Sequence, residues 1–312
     1  MFSKKLLIPL LSLSLLVTPA YSSHAAENAE AAGTSVEGQG MLSPSSSSES
    51  SESVFNGSGA GTSSEPVTDE KLETILKQVQ SQLPAENGTW AVFISDLVNG
   101  TEGSLNDQKM QAASLIKLYI MGAVYENYDQ ITGQYGSDSV DSNLYSMITV
   151  SDNESCNELG RLQSEKHDFL DGAEKVNEYL KKEGYTKTSY QSTLHPSASK
   201  LITLGGHNQT TVTDCGKLLE RIYRGECVSK EASEEMLDLL KNQQNTSKIP
   251  EGLGVDVPTA NKTGETDEDQ HDIAIVYGTK TTYILCVMSE NASNAIANIR
   301  NISRVVYNYL NL

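Results

Sequence analysis

The sequence predicts an α+β fold in which an antiparallel five-stranded sheet, drawn from both ends of the folded segment, flanks an inserted all-helical block. Three observations carry this prediction. Two strand patterns joined by Asn99-Gly100 open the folded segment, strand patterns return from Thr259 to Met288, and the stretch between shows helical periodicity with almost no strand signal.

Before the folded segment, residues 1–25 have the composition of a signal peptide. Lys4 and Lys5 form a basic start, Leu6 to Val17 is an apolar run, and Ser23-His24-Ala25 offers a small-residue cleavage site. The run is short for a bilayer span, so the membrane is expected to be met only during export, with a secreted or cell-wall-associated product. Residues 26–66 are rich in Ser, Gly, Glu and Ala. With so few large apolar side chains they cannot offset the entropy of ordering, and they read as a disordered tether. A single folded domain, 67–312, follows, and a monomer is expected.

In that domain Thr68 caps a helix with apolar residues Leu72, Ile75, Leu76, Val79 and Leu83 at helical spacing, ended by Pro84. Trp90–Leu97 and Thr101–Asn106 read as strands of a hairpin closed by Asn99-Gly100. The helical part, about 114–255, begins with a predicted helix over Ala113–Tyr128. It continues with Ser142–Val150, Asn153–Gln163, Phe169–Glu183, Thr213–Arg224 and Ser229–Gln243. Strands at Thr259–Glu265, Asp272–Tyr277 and Thr282–Met288 precede a last amphipathic helix, Asn291–Leu310.

A formal charge of −18 argues against nucleic acid as a partner, since affinity for phosphate backbones comes from clustered Lys and Arg. The histidines and the four cysteines lack zinc spacing, so neither metal nor other cofactor is expected. An exported address permits disulfides, but spacing leaves the pairing of Cys156, Cys215, Cys227 and Cys286 open. The Cys215–Cys227 pair is disfavoured, because at about 1.5 Å rise per residue an intervening helix would hold them beyond disulfide reach. The chain contains no GxSxG, HExxH, P-loop or strand-linked GxGxxG pattern.

Chemistry is concentrated in three short motifs. Ser114-Leu115-Ile116-Lys117 opens a helix, and three-residue spacing places a hydroxyl and an amine one turn apart as a nucleophile and base pair. Alone this pattern is weak, since Ser197-Ala198-Ser199-Lys200 matches it too. Ser151-Asp152-Asn153 falls at a junction of two helices, where the plain alternative is an N-cap. Lys262-Thr263-Gly264 lies on a strand, where glycine permits close approach of a substrate backbone; Lys187-Thr188-Ser189 is a near miss without the glycine.

In this order, on these elements, SxxK, SDN and KTG resemble the motif set of the class A β-lactamase and penicillin-binding-protein family. The resemblance implies the β-lactamase/transpeptidase-like fold and a serine hydrolase acting on a small-molecule β-lactam or a cell-wall peptide. Ser114 would be acylated and Lys117 would take its proton. Ser151 would relay a proton to the leaving nitrogen, Asn153 would bond the substrate side chain, and Lys262, Thr263 and Gly264 would hold the substrate, Lys262 and Thr263 through its carboxylate. The backbone N–H groups of Ser114 and Glu265 would form the oxyanion hole, with the Glu265 side chain turned away, and Asn157 would brace the following loop.

One departure bears on turnover. The family's β-lactamases drive water onto the acyl-enzyme with a loop Glu, whereas residues 185–213 here contain no Asp or Glu, and the nearest local match to Trp-Glu-Pro is Leu194-His195-Pro196. His195 is the candidate substitute base. Three readings stay open: β-lactam hydrolase with slow deacylation, D-Ala-D-Ala-type peptidase or transpeptidase, and a sensor that is acylated without turnover.

Overall fold

A computed structural model describes residues 70–83, 88–195, 201–254 and 256–312. The expected signal peptide, the tether, the Thr68 cap, Pro84 and the second SxxK at 197–200 lie outside the described residues.

Helix α1 (Glu70–Gln82) buries Leu72, Ile75, Leu76 and Val79, the stripe that its spacing predicts. Strands β1 (Thr89–Asp96) and β2 (Thr101–Leu105) form the expected hairpin, but its loop is longer than the two residues Asn99-Gly100 suggest. The Asp96 carboxylate accepts from the backbone N–H groups of Val98 and Asn99, and Gly100 takes φ +70°, so the chain turns over residues 97–100.

The inserted block differs from its prediction mainly at the start. A 3₁₀ turn, Ala113–Leu115, leads into α2 (Ile116–Glu126), and a separate α3 (Tyr128–Tyr135) follows where a single helix was expected to stop. Helix α4 begins at Ser137 rather than Ser142 and runs to Thr149, because Gly136, at φ +85°, turns the chain directly from α3 into it. Helices α5 (Asn153–Leu162) and α6 (Phe169–Lys182) open on Asp152 and Asp168, and α7 (Val212–Arg224) and α8 (Lys230–Lys241) open on Thr211 and Ser229. Each of these four caps accepts a backbone N–H with its side chain.

Three elements had no sequence signal. The short strands β3 (Met110–Gln111) and β4 (Gln209–Thr210) pair ahead of the Ser114 turn, and α9 (Ile249–Leu253) is a five-residue helix. Strands β5 (Thr259–Glu265), β6 (Asp269–Tyr277) and β7 (Thr282–Glu290) complete the main sheet, with β6 starting three residues before its predicted Asp272. Helix α10 (Ala295–Asn311) ends the chain.

The sheet order is β2-β1-β7-β6-β5, with every neighbour antiparallel. Both of its faces are covered, which is why β1 is buried from Trp90 to Asp96 instead of alternating. Phe93, Ile273, Ile275, Ile284 and Cys286 pack with the helical block, while Val92, Ile94, Ala274, Leu285 and Val287 pack with α1 and α10. Helix α2 runs through the middle of the helical block and is buried from Ile116 to Val124.

Helices α5 and α6 meet at a pair of glycines, and a Cβ on Gly172 would collide with the carbonyl oxygen of Gly160. Gly172→Ala is therefore expected to destabilise the fold by about 1–3 kcal/mol, read as a lower urea midpoint at unchanged slope. All four cysteines are buried and unpaired.

Candidate active site

The site begins with a strained turn. Ala113 holds φ +45°, a left-handed conformation that is uncommon for a side-chain-bearing residue, and it delivers Ser114 into the 3₁₀ turn ahead of α2. Lys117 follows one turn later and is fully buried, with Nζ 2.9 Å from Ser114 Oγ. The same nitrogen lies 2.6 Å from the Ser151 carbonyl oxygen, 2.7 Å from Asn153 Oδ1 and 3.1 Å from Ser151 Oγ.

This arrangement makes the neutral amine more accessible than in an ordinary lysine. Burial lowers the Lys117 pKa to about 8, only partly opposed by nearby acidic groups that include Asp152. The Ser151 carbonyl and Asn153 Oδ1 can only accept, so they claim two N–H donors. The neutral amine then keeps a lone pair for the Ser114 or Ser151 hydroxyl.

Ser151 takes φ +58° between α4 and α5, the second left-handed residue of the site. Asp152 caps α5 through a 2.7 Å bond from Ser155 N–H, so the SDN triplet divides its work: Asp152 fixes the helix start while Ser151 and Asn153 meet Lys117. From the sheet, fully buried Lys262 donates to Ser151 Oγ at 2.8 Å and to the Thr263 carbonyl at 2.8 Å. Burial, reinforced by the Lys117 charge, puts the Lys262 pKa well below the usual lysine range. Two lysine nitrogens thus bond one hydroxyl, and the Lys117 charge disfavours a charge on Lys262.

Gly264 packs tightly against its neighbours. A Cβ there would sit 3.1 Å from His271 Cδ2, 3.2 Å from Leu115 Cγ and 3.3 Å from the Ala112 carbonyl oxygen, so the space it leaves is shared by the His271 ring and the Ser114 turn, which approaches the end of β5. The next residue, Glu265, does not turn its side chain away from the site as expected but borders the cleft, held there because its carboxylate bonds Lys248 Nζ at 2.8 Å while Asn245 Nδ2 donates to the same oxygen at 3.1 Å. Lys248 itself is wholly buried and also donates to the His271 carbonyl at 3.0 Å. No motif announced Lys248 or Asn245, because a lone Lys before Ile249-Pro250 has no spacing partner in the sequence.

Ser114, Asn153, Leu194, His195, His207 and Glu265 border a cleft of ≈ 370 Å³. Asn157 clasps its far wall, accepting from Leu194 N–H at 2.8 Å and donating to the Leu194 carbonyl at 3.1 Å. The next residue, His195, is exposed and takes φ +36°. His207, which sequence reasoning did not select, borders the same cleft. Glu265 is the single carboxylate among the described lining residues, and no group of three or more His, Cys, Asp or Glu among the described residues is placed to hold a metal ion. No helix among them is long and apolar enough to cross a membrane.

A model of the β-lactamase enzyme family matches residues 71–134 and 131–310. Among solved structures, that of PBP-A superposes with a TM-score of 0.66 at 23% identity, covering 78% of this chain and 98% of that one. A β-lactamase from Sphaerobacter thermophilus DSM 20745 gives 0.61 at 21% identity, covering 75% and 95%. An ancestral class A β-lactamase, GNCA, gives 0.62 at 18% identity, covering 74% and 98%. Likeness at these identities carries the fold, which is the β-lactamase/transpeptidase arrangement. No curated protein matches the chain in sequence.

Proposed function

The chain belongs to the β-lactamase enzyme family, and on that premise we propose that it is a serine hydrolase that opens amides such as β-lactams through a Ser114 acyl-enzyme and releases the acyl group slowly. The observation that carries this reading is the buried Lys117 amine, 2.9 Å from Ser114 Oγ with its pKa lowered to about 8. A neutral amine takes the Ser114 proton as Oγ adds to the carbonyl carbon. The developing oxyanion is met by the N–H groups of Ser114 and Glu265, and losing one such donor typically costs ~10²–10³ in rate. Ser151, between the two lysines, then passes a proton to the departing nitrogen as the carbon–nitrogen bond breaks.

Deacylation needs a base that aims water at the ester. The one lining carboxylate, Glu265, is engaged by Lys248 and Asn245, and the wall opposite Ser114 carries Leu194 and His195. A missing general base forfeits ~10²–10⁴-fold. Mixing the protein with a chromogenic β-lactam is therefore expected to give a burst equal to the Ser114 concentration and then a much slower steady rate. Fast continuous turnover overturns the slow-release part, and the absence of both burst and turnover overturns the whole. In the same assay His195→Ala identifies the base if only the steady rate falls, and an unchanged steady rate removes His195 from the mechanism.

That same wall favours a second reading, a cell-wall peptidase or transpeptidase, or a sensor, that β-lactams merely trap. A mutant of PBP-A solved as an acyl-enzyme with penicillin G shows that related folds can hold such an adduct.

A further inference from the structure

Glu265 stands where an anion is least expected, on the residue whose N–H serves the oxyanion. Along β5 successive side chains alternate between faces, so Glu265 shares a face with Thr263, the residue that the family resemblance gives to a substrate carboxylate. Behind it Lys248 has no exposed side-chain surface, whereas the Glu265 side chain is 46% exposed, so what the cleft meets at this point is the carboxylate and not the ammonium. Partial burial works against the charge on Glu265, but the bonds from Lys248 and Asn245 outweigh it and hold the carboxyl below its ordinary range. The result is an ion pair whose exposed end is the carboxylate, fixed by two partners at the edge of the cleft.

We propose that Glu265 sets the charge preference of the cleft. Its carboxylate takes up the cation that Lys248 would otherwise offer, so the cleft accepts acyl donors that are uncharged beside the scissile amide and disfavours those bearing a carboxylate there. Amidated or internal peptides fit this requirement, and a free terminal carboxylate does not. The proposal rests on the acyl-enzyme reading above and adds the substrate class to it.

Penicillin G and its neutral methyl ester test the idea as a pair, with the Ser114 adduct followed by intact mass. In the unmodified protein the ester is expected to acylate faster than the anion, by less than the roughly tenfold that one unpaired charge would give, because the Lys248 ammonium 2.8 Å away offsets part of the carboxylate's field. Raising the salt concentration is expected to narrow the gap, since the exposed part of the interaction is screened within about 8–10 Å at ordinary ionic strength. Glu265→Gln, which retains an acceptor for Asn245 and Lys248, is expected to shift the anion-to-ester ratio about tenfold towards the anion. A ratio unmoved by both salt and substitution, with adducts still forming, overturns the charge preference alone. No adduct with either compound overturns the acyl-enzyme reading and this proposal with it. The salt series needs no variant, so the outcome does not depend on how well Glu265→Gln folds.

Discussion

Ser114→Ala is expected to abolish the covalent adduct with any β-lactam while leaving the thermal midpoint close to that of the parent. The hydroxyl is the atom that becomes acylated in the proposed reaction, and no neighbouring group can replace it. Lys117 Nζ points at the same spot, but its bonds to the Ser151 carbonyl and Asn153 Oδ1 tie it to the floor of the site. Ser151 Oγ is held between Lys117 and Lys262. Little structural loss is expected, because the fold around Ser114 is fixed by its apolar neighbours Ala113, Leu115 and Ile116, all buried. Intact mass after incubation with penicillin G reads the result directly, and an adduct of unchanged mass on the variant overturns the nucleophile assignment.

Lys117→Met is expected to slow acylation by ~10²–10⁴-fold, the range in which a positioned base contributes. The pH profile is the sharper readout. Because the reactive form is the neutral amine, acylation in the unmodified protein should rise about tenfold per pH unit below the Lys117 pKa of about 8 and level off above it. In the variant this rise should vanish. Pre-steady-state acylation measured from about pH 6 to about pH 9 decides between a base and a merely structural lysine. Losing the amine also leaves the Ser151 carbonyl and Asn153 Oδ1 without their donor, so some loss of stability accompanies it, but only the base role predicts the flattened profile.

Much of this architecture was legible in the sequence where local chemistry and packing agree. Helices α5 and α6 begin at Asp152 and Asp168, caps whose hydrogen bonds the residue types anticipate. The stripe Leu72, Ile75, Leu76 and Val79 is buried because the α1 surface it faces is the sheet. Reading failed where neighbours override local preference. Helix α2 is buried all round from Ile116 to Val124 and carries no polar face to mark its end, so the predicted helix ran on to Tyr128 and α3 beyond it went unmarked. The pair β3 and β4 is too short for any periodicity to register, and it joins residues roughly a hundred positions apart.

At the site, the three motifs named Ser114, Lys117, Ser151, Asn153 and Lys262, and the structure brings their polar atoms into one hydrogen-bonded cluster. What spacing could not supply was the environment. The left-handed backbone at Ala113 and Ser151, the space that Gly264 cedes to the nucleophile turn, and the Lys248 partner of Glu265 all depend on contacts between distant segments. Residue types alone record none of these.

The four thiols bear on how the domain answers to redox conditions. Each is sealed inside the packed core, and burial pushes Cys156 up to about 11 and Cys215 up to about 12, far from the thiolate form that oxidants and alkylating agents attack. Packing alone holds the domain together, without a covalent staple, so its stability is expected to be the same with and without a reducing agent.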